Sequence, residues 1–295
     1  MKPAELGGLM SADFSLPAAR RDAIIAGLHA SSASPHLMGI INTTDDSFFA
    51  GSRHHASAAV KQGLQMWEDG ATWIDVGGES TRPGALPVTV EEEIVRVVPV
   101  IEGLRKANSE GLISIDTRHA DVARAALQAG ADLINDVSGL RDPDMLKLVV
   151  ESGCGVCIMH MQGEPGSMQE NPRYENCVQE IRSYLQKRLE ELIQGGHDPR
   201  LVCLDPGIGF GKRQQDNIDL LDAGRSMVVN EDAGLLWGVS RKSLIGHLAQ
   251  QDKPKNRLAG TLGIAAIARS KGVDVLRVHD VREHADLFAS MKPFS

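Results

Sequence analysis

Eight short apolar runs, each closing on polar or charged residues and each followed by enough chain for a helix, recur along this 295-residue sequence. They are LMGIIN to Asn42, TWIDVGGEST through Asp75 to Thr81, LISID to Asp116, DLIND to Asn135 and Asp136, GVCIMH to His160, LVCLD to Asp205, LLWGVSRK through Ser240 to Lys242, and VDVLRVHD from Arg277 to Asp280. Eight strand-and-helix units in one chain predict an α/β fold, a single (β/α)8 TIM barrel. In that architecture the polar residues at the carboxyl ends of the strands face a common mouth, where chemistry accumulates. The pattern predicts an enzyme.

Composition agrees with one domain. Hydrophobic residues make up 42% of the chain and aromatic residues only 4%, so aliphatic side chains must fill the barrel and the seam beneath its helices. A formal net charge of -8 gives no electrostatic reason to expect nucleic acid or an anionic membrane as partner. No stretch reaches the roughly 18 consecutive apolar residues of a membrane-spanning helix, and the first residues lack a basic segment followed by an apolar one, so a cytoplasmic protein is expected. Cys154 and Cys157 form one C-x2-C pair, but no second pair completes four metal ligands. All four cysteines, with Cys177 and Cys203, read as reduced thiols.

Residues 1–35 stand outside the repeat. LPAARRDAIIAGLHA has helical spacing, SSASP ends it, and the segment is expected to be an N-terminal extension packed on the barrel of residues 36–295. SFFAGSRHH and RPGALPV follow the first and second strands as irregular loops, candidates for covers over the mouth. Helices are predicted over ASAAVKQGLQMWEDGA, VEEEIVRVVPVIEGLRKA, ADVARAALQAGA, NCVQEIRSYLQKRLEELIQGG, KNRLAGTLGIAAIARSKG and VREHADLFASM. The second of these carries its carboxylates early and its basic residues late, as the helix dipole favours.

Two groups of strand-end residues exceed what packing requires. Asp116, Asn135 and Asp205 each follow an apolar run, and two carboxylates and an amide converging on one ligand match the donor and acceptor edge of a polar heterocycle. The alternative is that each caps a helix or holds a turn. Arg82, Arg241, Lys242, Arg277 and His279 form a basic group at strand ends, and the ends of strands seven and eight of such barrels commonly bind phosphate. DPGIGFGK, residues 205–212, lacks the G-x-x-x-x-G-K-[ST] spacing and reads as a glycine-rich turn exposing Phe210 and Lys212. His54 and His55, adjacent in a loop, are poor chelators by themselves.

The segments MGIINTTDDSF, IDVGGESTRPGA, ISIDT, LINDVSGL, MHMQGEPGSMQENPRY, LDPGIGFGK, GVSRKSLIG and RVHDV together resemble the dihydropteroate synthase family, in order, from His36 almost to the carboxyl terminus. The resemblance implies a transferase of folate biosynthesis. Its small-molecule substrates would be 4-aminobenzoate and 6-hydroxymethyl-7,8-dihydropterin diphosphate, its products 7,8-dihydropteroate and pyrophosphate, its cofactor Mg2+ and its assembly a homodimer. Carried over by motif, Asp116, Asn135, Met159, Asp205, Phe210 and Lys242 would bind the pterin. Asn42 would ligate Mg2+ on the diphosphate, Arg277 and His279 would hold the diphosphate oxygens, and Thr81, Arg82, Pro83 and Ser240 would frame the 4-aminobenzoate pocket. Asn42, Asp116, Lys242, Arg277 and His279 would carry catalysis.

The chain departs from the family in its first loop, where NTTDDSFFAGS stands for N-V-T-P-D-S-F-S-D-G-G. Asp45, Phe49, Ala50 and Ser52 are the changed positions. They leave open two variations on the reading: a synthase with altered response to sulfonamides, which mimic 4-aminobenzoate, and a pterin-binding homologue without catalysis. Pterin-barrel methyltransferases are disfavoured, because both the aminobenzoate-side and diphosphate-side residues are present.

Overall fold

The computed structural model describes residues 16–30, 34–43, 53–80, 87–164 and 166–294. Eight parallel strands close into a barrel in the order of the chain: β1 (His36–Asn42), β2 (Trp73–Gly77), β3 (Leu112–Asp116), β4 (Leu133–Asp136), β5 (Gly155–Met159), β6 (Val202–Asp205), β7 (Gly234–Trp237) and β8 (Val275–Val278), with β8 pairing back onto β1. Around them run α1 (Ala18–Leu28), α2 (Arg53–Glu68), α3 (Val90–Ala107), α4 (Ala120–Gln128), α5 (Pro143–Ser152), α6 (Cys177–Gln194), α7 (Gln214–Ala223), α8 (Ser243–Ala249), α9 (Leu258–Ala268) and α10 (Val281–Met291). The expected (β/α)8 barrel is therefore present, with α1 preceding it.

Local chemistry sets the helix ends. Thr89 and Glu92 cap α3 reciprocally, each accepting the other's backbone N–H, so two donors that the first turn leaves orphaned are satisfied. Asp142 caps α5 with Pro143 at its first turn, and Asn176 caps α6. The strand predicted over LLWGVSRK is shorter than expected. It ends at Trp237, three residues before Ser240, and Lys242 instead precedes the first turn of α8.

Alternation along the strands sorts the barrel into layers. Met38, Trp73, Leu112, Leu133, Cys157, Cys203, Leu236 and Val275, one from each strand, join a single apolar cluster with Ile24 and Leu28 of α1. Their neighbours in sequence, such as Ile74, Ile113, Ile134, Val156, Val202 and Leu276, belong to a second cluster beneath the outer helices. Two residues further along each strand the side chain again faces the interior. On several strands that next residue is polar: Asp75, Ser114, Asn135, Asp205 and Arg277. The barrel thus has an apolar lower layer and a charged upper one.

Helix α1 covers the lower layer. Ile24 and Leu28 are fully buried, and the indole N–H of Trp73 donates to the Gly27 carbonyl at 2.7 Å. A β-carbon on Gly27 would come within 2.7 Å of Leu112, so glycine lets the helix approach this closely. Arg20 of α1 and Arg105 of α3 both donate to Asp132, at 2.6 and 2.7 Å, pinning the helix to the barrel rim. With one end of the barrel covered, the other end carries the site.

Candidate active site

The strand register brings the polar residues to one level of the mouth. Asn42 pairs with Gly77, Gly77 with Asp116, and Asp116 with Asn135. Gly77 leaves its neighbour room, since a β-carbon there would stand 3.4 Å from that of Asp116. Asn42 is exposed at the end of β1, whereas Asn135 and Asp205 are buried.

Arg277 organises this level. From β8 its Nε donates to Asp75 of β2 at 2.5 Å and its Nη2 to Asp116 of β3 at 2.5 Å. Asp75, fully buried, also accepts from the Ser114 hydroxyl at 2.6 Å and from the Asn135 amide at 3.2 Å. One guanidinium is therefore shared by two carboxylates. Burial pushes Asp116 up to about 7; Arg277 opposes the rise and Asp75 adds to it. Arg277 is held above its ordinary value because the attraction of Asp75 and Asp116 outweighs burial.

Lys242 and Asp205 lie across the mouth. Both face Gly238, whose added β-carbon would stand 3.7 Å from the Asp205 carboxylate and 3.7 Å from Lys242 Nζ. Burial lowers Lys242 to about 8, against the pull of Asp205. Burial likewise raises Asp205, with Lys242 opposing. Lys242 Nζ donates to the Ile208 carbonyl at 2.5 Å and sits 4.3 Å from the centre of the Phe210 ring, a cation over an aromatic face. Phe210 packs with Val137, Met159, Met161 and Met168. The mouth therefore has an apolar wall beside its charged floor.

Of the residues expected in the 4-aminobenzoate pocket, Ser240 is buried and receives the His279 backbone N–H at 3.2 Å, with His279 Nδ1 at 3.0 Å from its hydroxyl. Thr81, Arg82 and Pro83 lie outside the described residues, as do Asp45, Phe49, Ala50 and Ser52 of the first loop and the side chains of His54 and His55. Arg241, included in the basic group, is bound to Asp280 through both Nε and Nη2. Arg241 and Arg277 of the basic group thus each have carboxylates beside them.

One further expectation fails. Lys212 is buried, 4% exposed, and Phe210 only partly exposed, so the glycine-rich turn does not present the lysine to solvent. The turn folds inward onto the exit of β5. Gly207 has φ 70° and a β-carbon there would lie 1.9 Å from the His160 carbonyl oxygen. A backbone this close to its neighbour admits no side chain.

Asp75 is a candidate site residue that reading strand ends alone did not single out. It lies two residues before the end of β2, so it faces the interior rather than the rim. A carboxylate within an otherwise apolar, wholly buried strand was the available signal.

The family described as "Pterin binding enzyme" matches residues 38–279. The dihydropteroate synthase of Escherichia coli (strain K12) is 45% identical over 250 residues, 84% of this chain and 88% of that one. The chain belongs to the dihydropteroate synthase family of pterin-binding enzymes. Among solved family members, Xanthomonas albilineans dihydropteroate synthase with 4-aminobenzoic acid superposes with a TM-score of 0.81 at 40% identity, covering 88% of this chain and 93% of that one. Yersinia pestis dihydropteroate synthase in a sulfonamide drug complex gives a TM-score of 0.81 at 39% identity, covering 88% and 94%. The family's barrel and that of this chain are the same fold.

Proposed function

We infer that this chain is a transferase that condenses 4-aminobenzoate with 6-hydroxymethyl-7,8-dihydropterin diphosphate, giving 7,8-dihydropteroate and pyrophosphate for folate synthesis. The observation that carries the reading is the convergence of Asp116, Asn135, Asp205 and Lys242 at one end of the barrel in a chain of this family. Ionised carboxylates accept the N–H donors of a pterin ring, while the Asn135 amide and the Lys242 ammonium supply donors to its acceptors. Met159 and Phe210 give the ring an apolar surface.

The reaction breaks the C–O bond at the exocyclic methylene and forms a C–N bond. The diphosphate leaves with the bonding electron pair, and the attacking amine gives up a proton to solvent. Arg277 and His279, at and beyond the end of β8, are assigned to the diphosphate oxygens, where the Arg277 guanidinium and a ring N–H of His279 offset the negative charge that develops on the leaving group. Ser240, held by His279, is assigned with Thr81, Arg82 and Pro83 to the 4-aminobenzoate. Aromatic amines are largely neutral at physiological pH, so the site need only aim the nucleophile and exclude water.

Among the described residues, Mg2+ fits the donor set at Asn42. Among the described residues no group of three or more His, Cys, Asp or Glu side chains could hold a metal ion, but Asn42 offers an amide oxygen at the rim. Mg2+ characteristically takes few protein ligands alongside substrate phosphates and water, so Asn42 would hold it together with the diphosphate. When bound it would neutralise charge on the leaving group.

The same reading divides the chain into an extension over residues 1–35 and a barrel over 36–295, and pairs it as a homodimer in the cytoplasm. Among the described residues no helix is long and apolar enough to cross a membrane, and all four cysteines are free and buried. Leu248 of α8 and Ile267 of α9 are exposed apolar residues that a second copy would cover. The deciding experiment follows dihydropteroate and pyrophosphate together, with and without Mg2+. Product that depends on both substrates supports the synthase. Tight pterin diphosphate binding without product leaves a non-catalytic pterin-binding homologue.

A further inference from the structure

The segment Gly207–Lys212 joins β6 to α7 without regular structure, so its carbonyls need partners from elsewhere. Four consecutive carbonyls find them in side chains. Ile208 O accepts from Lys242 at 2.5 Å, Gly209 O from Gln169 at 2.5 Å, Phe210 O from Lys212 at 2.9 Å and Gly211 O from the Tyr174 hydroxyl at 2.8 Å. Gln169 and Tyr174 belong to the long segment between β5 and α6, so one active-site loop holds the other.

Lys212 is the innermost of these donors. Besides Phe210 O, its Nζ lies 3.1 Å from the His160 carbonyl oxygen and 3.1 Å from His160 Nδ1. Three acceptors match the three hydrogens of an ammonium group. The arrangement requires a neutral imidazole, and burial, reinforced by the Lys212 charge, lowers His160 to about 3. The ring is braced edge-on against Tyr184, with centroids 5.0 Å apart. Burial also lowers Lys212, to about 7, against the pull of the acidic groups Cys177, Asp205 and Asp216.

The consequence falls on Phe210. Its ring lies beneath Lys242 and against Met159, Met161 and Met168, and its own carbonyl is the atom Lys212 grips. We propose that Lys212, Gln169 and Tyr174 are positioning residues for the pterin: by holding the carbonyls of Gly209, Phe210 and Gly211 they fix the Phe210 ring at the height where a flat heterocycle must stack. The inference rests on the pterin reading of the mouth. None of the three is required to touch the ligand.

The test compares Lys212→Met, which keeps the stem and removes the donors, with the wild-type chain. Michaelis constants for both substrates are measured beside equilibrium binding of 6-hydroxymethylpterin and the melting temperature. Losing hydrogen bonds from a charged donor should raise the pterin diphosphate KM and the pterin Kd about tenfold, while the 4-aminobenzoate KM at saturating pterin stays within about twofold. A purely structural role would lower the melting temperature and leave both Michaelis constants of the folded fraction unchanged, which overturns the proposal.

Gln169→Ala removes an exposed donor and serves if Lys212→Met does not fold. It should raise the pterin Kd about threefold, and an unchanged Kd overturns the proposal. A wild-type chain that binds the pterin without turnover refutes the synthase reading, yet the ratio of binding constants still tests the clamp. A wild-type chain that binds no pterin overturns both.

Discussion

Asp75→Asn isolates the charge that sets the mouth's electrostatics. The substitution conserves shape and can conserve hydrogen bonding. If the amide oxygen takes the place of Oδ2, it still accepts from Arg277 Nε and Asn135, and the new NH2 donates to the Ser114 hydroxyl, which can turn to accept. What changes is that Arg277 is no longer shared. At an effective dielectric constant of about 20, two unit charges about 5 Å apart repel by about 3 kcal/mol, roughly 2 pH units on the carboxyl that feels it. Asp75 raises Asp116, so its neutralisation must lower Asp116 from about 7 by roughly one to two pH units.

The assay is the pH dependence of kcat/KM for dihydropterin diphosphate, which reports ionisations of the free enzyme and free substrate. Ionised Asp116 accepts from the pterin, so the wild-type rate should fall as pH drops through about 7, and the variant's acid limb should lie at lower pH. Substrate ionisations are common to both profiles, so the displacement belongs to the protein. The same raised carboxyl makes a linked stability prediction. Its folded value stands above 3.8, so its neutral form favours the fold, with stability fully present below 3.8 and lost as pH rises through about 7. Asp75→Asn should flatten that decline in urea unfolding. An acid limb that stays in place, or moves to higher pH, would refute the assignment of Asp116 and its dependence on Asp75.

Lys242→Met should raise the pterin KM by roughly 10- to 100-fold, since it removes a charged donor from the pocket as well as the cation above Phe210, and steady-state kinetics will show it. Ile24→Ala, at the opposite end of the barrel, should cost about 2–5 kcal/mol in chemical denaturation with kcat unchanged, because it empties the contact between α1 and the lower layer. Chelation of Mg2+ should abolish turnover while binding of 6-hydroxymethylpterin, which lacks the diphosphate, persists in calorimetry; equal loss of both would refute the placing of the metal with the diphosphate at Asn42.

The sequence by itself determined the number of strands, their order and the end of the barrel at which polar residues gather. That was possible because parallel strands buried on both faces must be written as apolar runs, and because a run of such length can close on a polar residue only where the chain emerges. Asn42, Asp116, Asn135 and Asp205 were legible for that reason, and the long motifs carried the family. Tertiary structure alone decided who meets whom. Arg277 and Asp116 are 161 positions apart, and only closure of β8 onto β1 brings them within hydrogen-bond distance. Asp75 entered the site through the inward alternation of β2, one level below the rim. Lys212 looked exposed because it closes a glycine-rich run; those glycines instead let the turn collapse onto the β5 exit and carry the lysine inward. Local patterns encode which face of an element is apolar, whereas the pairing of charges depends on barrel closure and register, which no single segment contains.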